Sequence, residues 1–142
     1  MKKKVVLLQG AFDLLNTGHI RSFKRAKGFG DYLIVAVNTP ELIKDYKKRQ
    51  PIFTYAEKKL IIESIKYVDK VVPASHFSPL ELLKKYDVDV YMIAPEWLET
   101  KAEEIAYMKE KGGKIKMCHN YKNVKRSSDI KRLLLQEAQG ET

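Results

Sequence analysis

Cysteine is nearly absent. The 142 residues contain one cysteine, Cys118, and three histidines, which excludes an internal disulfide, a redox pair and a Cys/His zinc cluster, and makes a reducing cytoplasm the expected compartment. Long apolar runs are missing as well. No stretch approaches the roughly 18–20 uninterrupted apolar residues of a membrane-spanning helix. The short run 5–8 behind Lys2, Lys3 and Lys4 falls below the about 7–15 residues of a secretory h-region. Acidic residues are in deficit, 18 Asp and Glu against 27 Lys and Arg, for a formal net charge of +9, so the field of the protein attracts anions. The basic residues are spread along the chain without a basic-aromatic array, so phosphorylated metabolites rather than nucleic acid are the expected partners. With 44% hydrophobic residues general disorder is excluded, and the length suits one domain over 1–136 with a frayed tail over 137–142.

What is present is an alternation. Residues 4–9 (KVVLLQ), 32–37 (YLIVAV), 69–73 (DKVVP), 87–93 (DVDVYMI) and 114–118 (KIKMC) read as short strands of a parallel sheet. Helical spacing fills the gaps. Ile20, Phe23, Ala26 and Lys27 recur from Gly18 onward, with Gly28 and Gly30 as stop signals. Leu60, Ile61, Ser64, Ile65 and Val68 share a face behind a Thr54/Glu57 capping box. A helix is expected over 79–86. A charged one follows over 98–111 with Ala102, Ile105, Ala106 and Met108 inward, ended by Gly112 and Gly113, and a last one is capped by Ser127 or Ser128. The stretch 38–53, with Pro40 and Pro51, reads as a loop with one helical turn around 41–44. Five strands alternating with helices make an α/β, doubly wound sheet, which binds ligands beyond the carboxyl ends of its strands.

The segment GAFDLLNTGH, from Gly10 to His19, joins the first strand to the first helix. Backbone N–H groups and the positive end of the helix dipole favour a phosphate there, and His19 on the first helical turn offers a charge-assisted hydrogen bond to it. Cys118 reads as a core residue, and His76 and His119 as exposed loop residues.

The stretch GAFDLLNTGHIRSFKRAKGFGDYLIVAVNT resembles the opening GxFDxxHxGHxxxLxxAKxxGDxLIVAV of the cytidylyltransferases, the glycerol-3-phosphate branch above all. The similarity continues through YAEKKLIIESIKYVDKVVP and YDVDVYMIAPEW and covers residues 4–97. It implies an HxGH-type nucleotidyltransferase fold with strand order 3-2-1-4-5, a homodimer, and transfer of CMP from CTP to a small alcohol phosphate with release of pyrophosphate. Mg²⁺ is then held through the substrate phosphates, with no protein metal site.

Carried over by position, the resemblance places Gly10, Ala11, Phe12, Asp13 and Gly18 at the phosphates, and Asn16 and His19 on the HxGH signature, whose first histidine is replaced by Asn16. Lys58 stands for a helix arginine. Ala94, Glu96 and Trp97 stand for the GDDW base-reading segment, with Pro95 in place of a backbone donor. Ser127 and Ser128 keep the hydroxyls that meet the triphosphate. Tyr121 replaces an arginine whose charge Lys122, Lys125 or Arg126 could supply. Lys44 or Lys47 answers to a loop lysine that reaches the β- and γ-phosphates. His19, Asn16, Lys47 and Lys44 are thus the expected catalytic set. Two other readings stay open: an idle relative that keeps the fold and binds a nucleotide or a protein partner without turnover, and a transferase of changed base or acceptor preference.

Overall fold

A computed structural model of the chain describes residues 2–47, 50–118 and 127–140. Strands β1 (Val5–Gly10), β2 (Tyr32–Asn38), β3 (Lys70–Ala74), β4 (Val90–Ile93) and β5 (Lys114–Met117) form one parallel sheet in the order β3-β2-β1-β4-β5. The doubly wound architecture and its strand order are those expected. The chain winds outward from β1 to β3 and returns to β4, so the topological switch lies between β1 and β4.

The central strands are apolar without alternation because both of their faces are covered: Val6, Leu7, Leu8, Leu33, Ile34 and Val35 are each at most 4% exposed. On one side Phe23, Ala26 and Ile62 pack against Val6, Leu8, Leu33 and Val35; on the other Leu83, Val88 and Met108 pack against Leu7, Ile34 and Tyr91. Aspartates set the strand starts. The carboxylates of Asp31, Asp89 and Asp69 accept the N–H groups of Lys4, Val5 and Leu33 at 3.0, 2.9 and 2.7 Å. The helices are α1 (Thr17–Lys27), α2 (Pro40–Lys47), α3 (Tyr55–Glu63), α4 (Leu80–Lys85), α5 (Ala102–Glu110) and α6 (Ser127–Ala138), with a 3₁₀ segment over Pro95–Lys101. Among the described residues no helix is long and apolar enough to cross a membrane.

Four local expectations are corrected. The stretch 38–53 holds the full helix α2: Pro40 sits at its start, Thr39 Oγ1 accepts from Leu42 N at 3.3 Å, and Leu42 and Ile43 are buried. Two apolar residues are too few to register as a period. Helix α3 ends at Glu63 and turns Lys58 and Ile62 inward, leaving Leu60 and Ile61 68% and 40% exposed. The fourth strand begins only at Val90, since Asp87, at φ 47°, closes α4 and Val88 N bonds back to Leu83 O. Finally, Pro95 starts a 3₁₀ segment in place of the first turn of the charged helix. The residues that face inward there are Lys101, Glu104 and Met108, while Ala102 and Ala106 are exposed. Helix α6 runs to Ala138 with none of its described residues buried.

Candidate functional site

The carboxyl ends of the strands open on a cleft of about 710 Å³. Its floor is the β1–α1 turn. Gly10 is required there because a Cβ would stand 2.8 Å from Phe12 Cζ. Phe12, at φ 52°, sets its ring edge-on to His19 and to Phe23, each 5.3 Å away between centroids. Asn16 is the N-cap of α1: its Oδ1 accepts from Gly18 N at 2.9 Å and from His19 N at 3.3 Å. His19 completes the box by accepting Asn16 N at Nδ1, 3.1 Å.

This geometry assigns the imidazole. With Nδ1 an acceptor, the proton sits on Nε2. Burial, with Lys47 adding to it, pushes the His19 pKa down to about 4. His19 is therefore a neutral donor at pH 7 in the free protein, not the cationic one expected. The cap also occupies the N–H groups of Gly18 and His19, so the donor of this turn is the imidazole more than a row of free amides.

Helix α6 is clamped onto the same turn. Ser127 Oγ donates to Leu14 O at 2.6 Å and accepts from Asn16 Nδ2 at 3.4 Å, and Lys131 Nζ donates to Asp13 O at 3.2 Å. The Ser127 hydroxyl thus holds the turn in place, while the exposed Ser128 lines the cleft. Asp13 is 5% exposed; its Oδ2 accepts Ile52 N at 2.6 Å and its Oδ1 has no partner. Among the described residues no three carboxylate, imidazole or thiol groups converge to hold an ion.

The two expected lysine positions of α2 separate. Lys47 lines the cleft, whereas Lys44 is exposed on the same helix and does not. Lys58 does not line it either. It is fully buried, donating to Ala11 O at 3.0 Å and Asn38 O at 3.4 Å, with its pKa lowered by burial against the pull of Asp13. Its role is to hold the β1–α1 turn to the end of β2. Ala94, Glu96 and Trp97, which follow β4, also line the cleft. Cys118 lies beside them, its thiol pushed up to about 11 by burial and then by Glu96, which leaves it protonated and without nucleophilic use. Lys122, with His119, Tyr121, Lys125 and Arg126, falls outside the described residues.

The profile of the cytidylyltransferase-like family matches residues 7–133. The chain belongs to that family. As a cytidylyltransferase-like protein it is a nucleotidyltransferase, similar to the glycerol-3-phosphate cytidylyltransferase of Staphylococcus aureus, 38% identical over 78% of this chain and 87% of that one. It is also similar to the ethanolamine-phosphate cytidylyltransferase of Mus musculus, 33% identical over 92% of this chain but spanning 32% of that longer one. Among solved structures, the lipopolysaccharide core biosynthesis protein of Thermoplasma volcanium shares the fold with a TM-score of 0.74 at 24% identity, over 84% of this chain and 99% of that one.

This cytidylyltransferase-like cleft also has a wall that sequence reasoning missed, made of Gln9, Asn38, Tyr46, Phe77 and Lys101. Gln9 Nε2 donates to Asn38 Oδ1 at 2.9 Å and Asn38 Nδ2 to Tyr46 Oη at 3.0 Å, linking β1, β2 and α2. The polar ends of two otherwise apolar strands, Gln9 and Asn38, were the available signal. Lys101 left none, since a lysine in a charged helix reads as solvated.

Proposed function

We propose that the chain transfers the CMP unit of CTP to the phosphate of a small alcohol phosphate, glycerol 3-phosphate being the favoured acceptor. An acceptor phosphate oxygen attacks the α-phosphorus, the bond from that phosphorus to the bridging oxygen breaks, and pyrophosphate leaves with the electron pair. The observation that carries the reading is His19: an imidazole locked at Nδ1, which leaves Nε2–H as its donor, lining a cleft at the switch point of the sheet that Lys47 of α2 lines as well. Such an arrangement positions substrates and meets charge as it develops, with no covalent intermediate on the protein.

His19 and Lys47 would hold the triphosphate, with Gly10, Ala11, Phe12 and Gly18 allowing its close approach. Asn16 and Lys58 act by fixing the turn. Ser128 stands near the triphosphate end, and Glu96 and Trp97 serve the base, Glu96 as an acceptor for an exocyclic amine. The family resemblance adds Mg²⁺ and a homodimer, and the single cysteine, Cys118, adds a cytoplasmic setting. The donor set fits a phosphate-borne ion: Mg²⁺ takes one or two carboxylates and otherwise phosphate and water oxygens, and Asp13 Oδ1 is a buried carboxylate oxygen without a partner. Asp13 would hold it, and bound there it would neutralise phosphate charge.

The test is thermal stabilisation by CTP, ATP, GTP and UTP with Mg²⁺ present, followed by pyrophosphate release with glycerol 3-phosphate. CTP is expected to raise the melting temperature progressively with concentration and to support release. A flat response to all four nucleotides overturns the proposal, binding without release identifies an idle relative, and stabilisation by another base alone moves the donor.

A further inference from the structure

The strongest unassigned feature is a buried cation. Lys101 is 5% exposed yet lines the cleft, where its Nζ donates to Phe77 O at 2.7 Å and lies 3.7 Å from the centroid of the Phe77 ring. A lysine out of water needs compensation, and this one has little. Glu104, 3% exposed, attracts it through space, but that carboxylate accepts from Ser78 Oγ, and no carboxylate among the described residues forms an ion pair with Lys101. An ammonium has three N–H donors; one meets a carbonyl and the ring face takes part of the charge.

Its neighbours define a lobe of the cleft. Phe77 stacks edge-on with Trp97 at 5.3 Å and tilts against Tyr46 at 5.9 Å. Gln9 Nε2 approaches the same Phe77 carbonyl at 3.5 Å and bonds to His76 O at 3.1 Å. Those carbonyls fix the orientation of the amide, and its Oε1 is left buried without a donor. The lobe therefore offers a desolvated cation and an oxygen lacking its hydrogen, enclosed by aromatic rings. An ammonium-bearing head group would normally use such rings as its cage. In this lobe Lys101 occupies the Phe77 face and would repel it.

We propose that Lys101 is the acceptor-binding and specificity-determining residue: its ammonium donates to a phosphomonoester oxygen of a neutral, hydroxyl-bearing alcohol phosphate and bars amino-alcohol phosphates. This rests on the transferase reading above and narrows its acceptor class. A charge-assisted contact at a desolvated site corresponds to about 10–100-fold in affinity. With CTP as donor, wild type is expected to show kcat/KM for glycerol 3-phosphate at least about tenfold above that for phosphoethanolamine. Lys101→Met should raise KM for glycerol 3-phosphate about 10–100-fold with KM for CTP within about twofold, and Lys101→Arg should recover part of the loss. An unchanged acceptor KM in Lys101→Met, or a wild-type preference for phosphoethanolamine, overturns the proposal while leaving the transferase reading intact.

A second arm does not depend on turnover. Stabilisation by glycerol 3-phosphate alone, measured by melting temperature, is expected in wild type and lost in Lys101→Met. Equal stabilisation, or none in wild type, counts against Lys101 whatever CTP does. If Lys101→Met does not fold, Lys101→Gln takes its place in both arms.

Discussion

His19 and Asn16 cap each other. Nδ1 of the imidazole accepts Asn16 N at 3.1 Å, and Oδ1 of the amide accepts His19 N at 3.3 Å. A proton on Nδ1 would point one donor at another, so the box and the charge state of His19 are a single device, and burial weights it toward the neutral form.

Stability should therefore depend on pH through His19. Its native pKa of about 4 lies below the ordinary 6.5. Between those values the unfolded chain binds a proton that the native state does not, so stability rises with pH across the window and this contribution is flat above it. The slope is at most about 1.4 kcal/mol per pH unit for one proton. Urea unfolding of wild type and His19→Gln at pH 5 and pH 7 isolates the term, because every other group cancels in the double difference. Wild type should gain more than the variant on going to pH 7; parallel gains would show that His19 titrates normally in the fold.

Asn16 separates capping from phosphate binding. Asn16→Ala removes the acceptor for Gly18 N and His19 N together with the Nδ2 tie to Ser127, and should cost about 1 kcal/mol, within a range of roughly 0.5–2. Asn16→Asp keeps an acceptor at the positive end of α1 but sets a carboxylate beside the expected phosphates. It should retain most of the stability and lose CTP affinity. Chemical denaturation and nucleotide titration of the two variants check the pattern, and equal stability loss in both would remove the capping role.

Sequence reasoning reached the sheet because its signal is redundant: β1 and β2 are apolar on both faces, and the Thr54 cap with Glu57, bonded at 2.9 and 3.1 Å, is a local pattern that tertiary context does not alter. The β1–α1 turn was legible for the same reason, its spacing being fixed by the strand-turn-helix unit. What escaped were charged residues turned inward. Lys58 and Lys101 carry long apolar stems that bury like any aliphatic chain while the ammonium finds carbonyls. A scale that counts lysine as polar places both outside. Leu60 on α3 was misplaced in return, because Lys58 and Ile62, one turn apart, took the inner face.

Lys58 gives a direct check of that account. Deleting its ammonium leaves Ala11 O and Asn38 O without a donor and Asp13 without its neighbouring positive charge. Lys58→Met keeps most of the stem, so the loss reports the polar end, and about 2–4 kcal/mol is expected in urea unfolding. CTP binding should weaken only as far as the turn loosens. A fully stable Lys58→Met that no longer binds CTP would instead make Lys58 a phosphate ligand reached by rearrangement.

Gly10 links the strand to the imidazole through a chain of contacts. A Cβ there would meet Phe12 Cζ at 2.8 Å and two further ring atoms at 3.1 and 3.2 Å. The ring has little room to retreat, being 7% exposed and edge-packed on both His19 and Phe23. Gly10→Ala should cost about 1–3 kcal/mol and raise KM for CTP, since a displaced Phe12 ring presses on His19 as well as on Phe23. Phe12→Leu shortens the obstructing group, so the double variant Gly10→Ala/Phe12→Leu should be more stable than the sum of the single losses predicts, with a coupling of at least about 1 kcal/mol. Additive losses in that cycle would mean the turn accommodates the methyl by backbone movement, and the proposed mechanical link from Gly10 to His19 would fail.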